Sequence, residues 1–151
     1  MRPIKKILCA VDLMDGLPDA AEYAAWLAKS LKAEVIVLNV SPSCSHFSGF
    51  IISPDYTKDF VDQLMTGAEA AMREFVPKYF ADVPAKGKVL QGDPAEEIMA
   101  EADEEDVDLI VMASHGKKGL DRLLLGSVVQ KVAKHATQPL LTVRPLQEGE
   151  K

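Results

Sequence analysis

The sequence predicts an α/β fold, a doubly wound five-stranded parallel sheet with helices on both faces. Short apolar runs alternate with segments of helical periodicity along the whole chain. The run VIVLNV, Val35–Val40, is apolar at both alternating positions, which is typical of a parallel strand covered by helices on both sides. Strands that are separated by helices join parallel neighbours through right-handed crossovers. The length of 151 residues suits one domain spanning residues 1–151.

The first half of the chain predicts two strands and two helices. Ile7–Val11 is a buried strand, and a helix follows from about Pro18 to Leu31. Its apolar positions are Ala20, Ala24, Leu27, Ala28 and Leu31. After the strand Val35–Val40, the Ser- and Pro-rich stretch Ser41–Tyr56 predicts a surface loop, and a helix covers roughly Thr57–Tyr79. The apolar side of this helix is formed by Phe60, Leu64, Ala68, Ala71 and Phe75.

The second half predicts three strands and two helices. The strands are Lys86–Leu90, Val107–Ala113 and Leu140–Val143. One helix begins at Asp93 as its N-cap, with Pro94 in the first turn and Glu96 three residues after the cap, and it ends near Glu105. The last helix covers Ser127 to about Ala136, because Gln138-Pro139 ends it.

Composition and charge exclude several classes of protein. Lys plus Arg is 17 and Asp plus Glu is 23, so the net charge is −6, which argues weakly against nucleic acid as the main partner. Nine acids and no base lie between Asp93 and Asp108, an interval expected to be a solvated surface. Two cysteines do not make a disulfide scaffold. The apolar runs are too short for a membrane span or a secretory signal, so we expect a cytoplasmic location.

The topology predicts where a ligand would lie. Ligands of open parallel sheets bind outside the carboxyl ends of the strands, where the strand order reverses. The residues expected there are Asp12, Val40 and the segment that follows Ala113. Asp12 alternatively only caps the loop that follows its strand.

The segment after the fourth strand, ASHGKKGLDRLLLGS, predicts an anion site. Gly116 and Gly119 allow backbone N–H groups to approach a ligand closely. Gly126-Ser127 opens the last helix, whose free N–H groups attract anions. Ser127 with Gln130 also fits a capping box, and a helix start without ligand remains the alternative for these residues. Neither a Walker loop nor a G-x-G-x-x-G dinucleotide fingerprint occurs.

At this point the chain resembles the universal stress protein family of the ATP-binding type, within the adenine-nucleotide α-hydrolase-like superfamily. The family signature G-x₂-G-x₉-G-[ST] corresponds here to Ala113-x₂-Gly116-x₉-Gly126-Ser127, with alanine in place of the first glycine. The segments ILCAVD, VIVLNV, GDPAEEI, DLIVMASHG and QPLLTVRP also agree, so that the resemblance covers essentially the whole chain. The Ala113 methyl group either crowds a bound ribose or points away from it, and the sequence leaves both alternatives open.

The resemblance implies an ATP site, with Mg²⁺ accompanying the nucleotide. Adenine and ribose are expected near Ala10, Asp12 and Val40, and ribose and triphosphate along Met112–Gly116 and Gly126–Val128. The full expected set is Ala10, Val11, Asp12, Val40, Met112, Ala113, Ser114, His115, Gly116, Gly119, Gly126, Ser127 and Val128. The implied function is nucleotide-dependent stress signalling with slow ATP turnover at most. The alternatives are a dimeric interaction module that has lost nucleotide, and a genuine ATPase.

The remaining candidate residues predict no catalytic centre. Asp12 and Asp121 are the only candidate carboxylates, and we expect no Ser114–His115 pairing because sequence neighbours seldom face each other. His115 either touches phosphate or bonds only to backbone. Cys44 and His46 are too few for a zinc site. Core packing is predicted for Cys9, Trp26 and Met112, and solvated loop positions near the phosphates for Lys117 and Lys118.

The last strand predicts a homodimer. Leu140–Val143 would be an apolar edge strand, and an unpaired edge invites pairing with another chain. The family resemblance also implies a dimer through this strand. We expect a protein partner to recognise the nucleotide-bound form.

Overall fold

The computed structural model describes residues 1–14, 18–41, 43, 54–115 and 125–146, with side chains described at all of these except 54–57. Strands and helices alternate along the chain as the sequence predicts. The elements are β1 (Lys6–Ala10), α1 (Asp19–Leu31), β2 (Glu34–Ser41), α2 (Pro54–Tyr79), β3 (Ala85–Gln91), α3 (Pro94–Glu104), β4 (Leu109–Ala113), α4 (Ser127–His135) and β5 (Leu140–Val143). In these described ranges, no helix combines the length and apolarity that crossing a bilayer requires.

The five strands form one sheet in the order β3-β2-β1-β4-β5, and every neighbouring pair is parallel. The predicted doubly wound parallel sheet is therefore confirmed. From β1 the chain adds β2 and β3 on one side, and it then returns to add β4 and β5 on the other side. The strand order reverses between β1 and β4, so the crevice expected of this fold opens at the carboxyl ends of these two strands.

Two apolar cores lie on opposite faces of the sheet, because successive side chains of a strand alternate between its faces. Ile7 and Cys9 of β1 are buried in the core beneath α1 and α2. Leu8, between them in sequence, is buried in the core beneath α3 and α4. The same alternation runs through β2 and β4, which explains why these strands are apolar at nearly every position.

Two element boundaries differ from the prediction by more than one residue. The strand predicted from Val107 begins at Leu109. The reason is that Asp106 takes a positive φ of 52° and the Asp108 carboxylate accepts hydrogen bonds from the backbone N–H groups of Lys5 and Lys6. The helix predicted from Thr57 begins at Pro54, so the end of the predicted loop Ser41–Tyr56 is helical.

Three apolar side chains that were assigned to packing are exposed. Trp26 is 63% exposed, and Leu31 and Phe60 are also exposed. The cause in α1 is that its buried face consists of small residues, namely Ala20, Ala21, Ala24 and Ala28. This alanine face packs closely on the sheet, and Trp26 lies on the opposite side of the helix. The prediction that Trp26 is a packing residue was therefore wrong, whereas Cys9 and Met112 are buried as predicted.

Candidate functional site

A cavity of about 750 Å³ opens at the carboxyl ends of the strands, at the reversal of strand order. It brings together ten of the residues that the sequence predicts for the site: Ala10, Val11, Asp12, Val40, Met112, Ala113, His115, Gly126, Ser127 and Val128. Ser114 is buried and does not line the cavity. Gly116 and Gly119 lie outside the described residues, as do Cys44, His46, Lys117, Lys118 and Asp121.

The cavity exists because β1 ends before its neighbour β2 does. The pairing between these strands ends at Ala10 and Leu38, with one further hydrogen bond from the Val11 N–H to the Leu38 carbonyl. Backbone groups of alternate residues point to the same side of a strand. The N–H and C=O of Val40 therefore point, like the carbonyl of Leu38, to the side that β1 has left. A donor and an acceptor at the sheet's edge are thus presented to the cavity.

Asp12 forms the loop cap that the sequence allowed as one alternative. Its Oδ1 accepts a hydrogen bond from the Met14 N–H at 3.0 Å, closing a turn directly after β1. The side chain is exposed and lines the cavity. Within the described residues, Oδ2 has no hydrogen-bond partner. Capping of the loop by one oxygen therefore leaves the second oxygen available to a ligand.

Asn39 is a residue of this site that the sequence analysis missed. Its side chain is buried, lines the cavity and donates from Nδ2 to the Val11 carbonyl at 3.0 Å. This bond ties the loop after β1 to β2 at the mouth of the cavity. The signal was present in the sequence, because Asn39 is the single polar residue in the run VIVLNV. A buried amide inside an apolar strand requires a hydrogen-bond partner.

The exit of β4 and the start of α4 are joined through Ser114. The Ser114 N–H donates to the Val143 carbonyl at 2.7 Å, and the Ser114 carbonyl accepts from the Gly126 N–H at 2.9 Å. The amide of Gly126 is thereby engaged within the protein. The amides of Ser127, Val128 and Val129 belong to the first turn of α4, which offers them no intrahelical acceptor. With the positive end of the helix dipole, this turn is a suitable place for an anion.

The predicted capping box at Ser127 is wrong. The N-cap of α4 is Gly126, no side chain caps the helix, and Ser127 is its first helical residue. Gln130 does not return to the cap amide either, since its Nε2 donates to the Leu125 carbonyl. The glycine takes the extended φ and ψ of a cap, −59° and 156°, which leaves the serine hydroxyl beyond the cap position. The Ser127 side chain therefore lines the cavity without serving the helix end.

The expectation that Ser114 and His115 do not interact is also wrong. The Ser114 Oγ and the His115 Nδ1 lie 3.0 Å apart, within hydrogen-bond distance. Neighbouring residues of an extended strand face opposite sides, but these two residues follow β4, where the chain bends toward α4. His115 lines the cavity, whereas Ser114 does not.

The wall of the cavity opposite β4 comes from α2. Its lining residues include Leu64, Gly67, Ala68 and Ala71, three of which the sequence assigned to the apolar side of this helix. The fully packed side chains of α2 are instead Val61 and Met72. Among the described residues, no atom outside the helix itself lies within 4 Å of the position that a Cβ of Gly67 would occupy. Small residues on this wall therefore keep the cavity open beside the end of β2.

Ala113, which departs from the family signature, faces the core beneath α1 and α2. It packs against that cluster together with Leu109 and Val111, as expected from its place in β4, and it also borders the cavity. Met112 belongs to the opposite core.

Cys9 carries no chemistry in this site. It is fully buried, its Sγ donates to the Ala20 carbonyl at 3.8 Å, and burial raises the pKa of the thiol to about 12. Among the described side chains, no group of His, Cys, Asp and Glu is arranged to hold a metal ion.

Comparison with known sequences identifies the family. The sequence model of the universal stress protein family matches residues 3–144. Universal stress protein MJ0531 of Methanocaldococcus jannaschii is 36% identical over 145 residues, covering 93% of this chain and 82% of the relative. Universal stress protein YxiE of Bacillus subtilis is 32% identical, covering 92% of this chain and 98% of the relative.

Comparison with solved structures agrees. The structure of the M. jannaschii protein MJ0577 is 30% identical with a TM-score of 0.78, covering 97% of this chain and 99% of that protein. A universal stress protein in complex with cAMP has 22% identity and a TM-score of 0.67, covering 96% and 100% of the two chains. An Arabidopsis thaliana family member with AMP bound has 22% identity and a TM-score of 0.62, covering 96% and 94%. On its sequence and its fold, this chain belongs to the universal stress protein family.

Proposed function

We propose that this chain is an ATP-binding universal stress protein that holds the nucleotide in the cavity at the carboxyl ends of β1 and β4. The observation that carries the proposal is the convergence, in one cavity, of the Val40 backbone, the Asp12 carboxylate and the unpaired first turn of α4. These groups match the three parts of an adenine nucleotide: a base with donor and acceptor edges, a ribose with hydroxyl groups, and a phosphate chain.

Each group has a defined role in this proposal. The N–H and C=O of Val40 pair with the edge of the adenine, and the free oxygen of Asp12 accepts from a ribose hydroxyl or the adenine amino group. The amides of Ser127 and Val128, together with the Ser127 hydroxyl, donate to phosphate oxygens at the positive end of α4. Mg²⁺ accompanies the phosphates and reduces their mutual repulsion.

Two further observations support nucleotide binding. Relatives of the same fold have been solved with cAMP and with AMP, and a family member from Archaeoglobus fulgidus has been solved with dAMP. The Ala113 methyl group packs with the core beneath α1 and α2, which favours the alternative in which it leaves room for the ribose.

In this proposal the protein signals through the presence of bound nucleotide in its cavity and not through hydrolysis of that nucleotide. Asp12 is the one carboxylate among the described residues that line the cavity, and one of its oxygens caps the loop after β1. A hydrolase requires a group that positions the attacking water. We therefore propose a cytoplasmic signalling module with slow hydrolysis at most, whose nucleotide-bound form is recognised by a protein partner. It acts as a single domain and as a homodimer through β5.

Isothermal titration calorimetry with ATP and Mg²⁺ on nucleotide-free protein tests the proposal. We expect saturable heat from the wild type and at least a tenfold loss of affinity in Gly126→Ala. An added Cβ at Gly126 would lie 3.6 Å from the His115 Cα and 3.7 Å from the Ser114 carbonyl oxygen. These are ordinary contacts, so the fold accommodates the methyl group, which narrows the junction between β4 and α4 where phosphates are proposed to bind.

The matched control is Gly67→Ala, which adds a methyl group to the α2 wall of the same cavity, at a position where no atom of the described part of the chain lies within 4 Å. We expect its affinity for ATP to stay within about threefold of the wild type. Absence of heat at millimolar ATP with the wild type would contradict the proposal and favour the dimeric interaction module. Rapid phosphate release that Asp12→Ala abolishes would instead favour a genuine ATPase.

A further inference from the structure

Ser114 is held by backbone hydrogen bonds to two different elements. Its N–H bonds to β5 through the Val143 carbonyl, and its carbonyl bonds to the start of α4 through the Gly126 N–H. The residue is only 8% exposed. The two bonds therefore fix its backbone, and burial restricts its side chain.

The hydroxyl of Ser114 faces a ring nitrogen of the next residue, His115. Within the described residues its hydrogen-bond partner is the His115 Nδ1, at 3.0 Å. A buried hydroxyl proton needs an acceptor, and the Nδ1 of a neutral imidazole can accept only when the ring proton is on Nε2. The Ser114 hydroxyl therefore favours the tautomer in which Nε2 carries hydrogen. His115 lines the cavity beside Gly126 and Ser127, and Ser114 does not.

We propose that Ser114 is a positioning residue that holds His115 in the Nε2–H tautomer, so that the imidazole donates to a phosphate of the bound nucleotide. The inference rests on the proposed nucleotide site, and it adds that the end of the cavity beside His115 recognises the phosphates of the nucleotide. An imidazole in the opposite tautomer would present a lone pair to the phosphate and repel it. The pair therefore selects phosphorylated nucleosides over free nucleosides.

The first experiment measures the tautomer without any ligand. Nitrogen-15 NMR at about pH 8 distinguishes protonated from unprotonated ring nitrogens. The chain has three histidines, and the resonances that vanish in His115→Gln identify those of His115. We expect an Nε2–H ring in the wild type and in Ser114→Thr, which keeps the hydroxyl. A mixture of tautomers is expected in Ser114→Ala. An unchanged ring in Ser114→Ala overturns the positioning role.

The second experiment compares the affinities for ATP and adenosine by calorimetry. We expect the ratio of the two affinities to fall about tenfold in His115→Ala and several-fold in Ser114→Ala, while adenosine binding is unchanged. His115→Gln retains a donor near the position of Nε2 that needs no partner to orient its proton. Adding Ser114→Ala to His115→Gln should therefore cause no further loss. An equal loss in both backgrounds would show that Ser114 acts only through the fold.

The two experiments separate this inference from the proposed function. If the wild type binds neither ATP nor adenosine, both the proposed function and the phosphate role of His115 are wrong, and the NMR result then describes only the ring. If ATP binds and the ratio to adenosine is unchanged in His115→Ala, the proposed function stands and this inference is wrong.

Discussion

At the scale of single residues, burial decides the chemistry of Cys9. The thiol lies in the core beneath α1 and α2, where apolar surroundings disfavour the thiolate and raise its pKa to about 12. Reaction with thiol reagents requires the thiolate. The side chain therefore belongs to the core, as its position in the apolar run ILCAV predicts.

We expect Cys9 to be inert toward iodoacetamide in the folded protein. The measurement is the mass shift after incubation at about pH 8, below the raised pKa of the thiol. Cys44→Ser removes the other cysteine, so that any label reports Cys9. Labelling in urea is the positive control. Labelling of the folded variant at the rate of the unfolded one would contradict the assigned burial.

Two glycines predict opposite effects of the same substitution. Gly67→Ala meets no atom of the described residues within 4 Å and improves the helix propensity of α2, so we expect the free energy of unfolding to rise by about 0.5–1 kcal/mol. Gly87→Ala would bring its Cβ into overlap with the buried Met72 side chain, so we expect a loss of about 1–3 kcal/mol. Urea denaturation measures both values. A loss of stability in Gly67→Ala would contradict the open space beside α2.

For single residues, the sequence predicted which positions line the cavity, but it did not predict in which direction individual side chains point. Ten of the expected site residues line one cavity because they follow strand ends and a helix start. Trp26 is exposed although apolar, because the sequence does not show which side of an alanine-rich helix faces the sheet. The Ser114–His115 contact depends on a bend after β4 that no spacing rule describes.

At the scale of elements, a charge cluster connects the edge strand β3 to α3. Lys88 of β3 is bonded to Glu101, which is 3% exposed, and to Glu105 at 3.3 Å. The hydrogen bonds with Glu101 raise the pKa of Lys88, and those with Lys88 and Lys86 lower the pKa of Glu105. A buried carboxylate requires such a partner, because an unpaired charge in the interior is costly.

We expect Lys88→Met to lower the free energy of unfolding by about 2 kcal/mol, because it leaves the Glu101 carboxylate buried without its cation. Lys88 itself is one-third exposed, so water relieves part of the cost. The double variant Lys88→Met with Glu101→Leu should recover most of the loss, since the buried charge is then absent. Urea denaturation at neutral pH checks both. If the double variant loses the sum of the two single losses, the cost does not come from the unpaired carboxylate.

The starts of α3 and β4 differ in how well the neighbouring sequence predicts them. The start of α3 is confirmed, since the Asp93 side chain accepts from the Glu96 N–H and Pro94 begins the helix. The start of β4 is two residues later than predicted, because the Asp108 carboxylate bonds to the backbone beside β1, more than 100 residues away in sequence. Neighbouring residues are therefore enough to predict where α3 begins, whereas the start of β4 depends on residues that are distant in sequence.

At the scale of the whole molecule, β5 is an edge strand with one side unpaired in the sheet order. The Pro139 carbonyl accepts from the Ile110 N–H of β4, and the Val143 carbonyl accepts from the Ser114 N–H directly after β4. The backbone N–H and C=O groups of odd-numbered residues therefore point toward β4, and those of even-numbered residues point to the open side. The N–H of Thr142 therefore lies on the open edge. This edge is where the proposed homodimer would form.

We expect Thr142→Pro to weaken the dimer while it preserves the fold. Proline removes an N–H from the open edge and none from the ladder with β4. Sedimentation velocity over a range of concentrations should show a dimer in the wild type and in the control Thr142→Val, and a monomer in Thr142→Pro. Near-ultraviolet circular dichroism checks the fold. A dimer in folded Thr142→Pro would show that the subunits associate through another surface.

Sequence patterns were enough to predict the alternation of strands and helices, the parallel sheet and the crevice at its carboxyl edge, and the resemblance of the motifs indicated the family. These follow from local periodicity, helix caps and glycine spacing, which are encoded among residues close together in the chain. The folded structure was needed to show that Asn39 donates to the Val11 carbonyl, that Gly126 and not Ser127 is the N-cap of α4, and that the Ser114 hydroxyl contacts the His115 ring. The first contact depends on how two strands that are separated in sequence are aligned, and the other two depend on the backbone bends at the exit of β4 and the start of α4. Hydrogen-bond geometry is sensitive to such differences to within a fraction of an ångström.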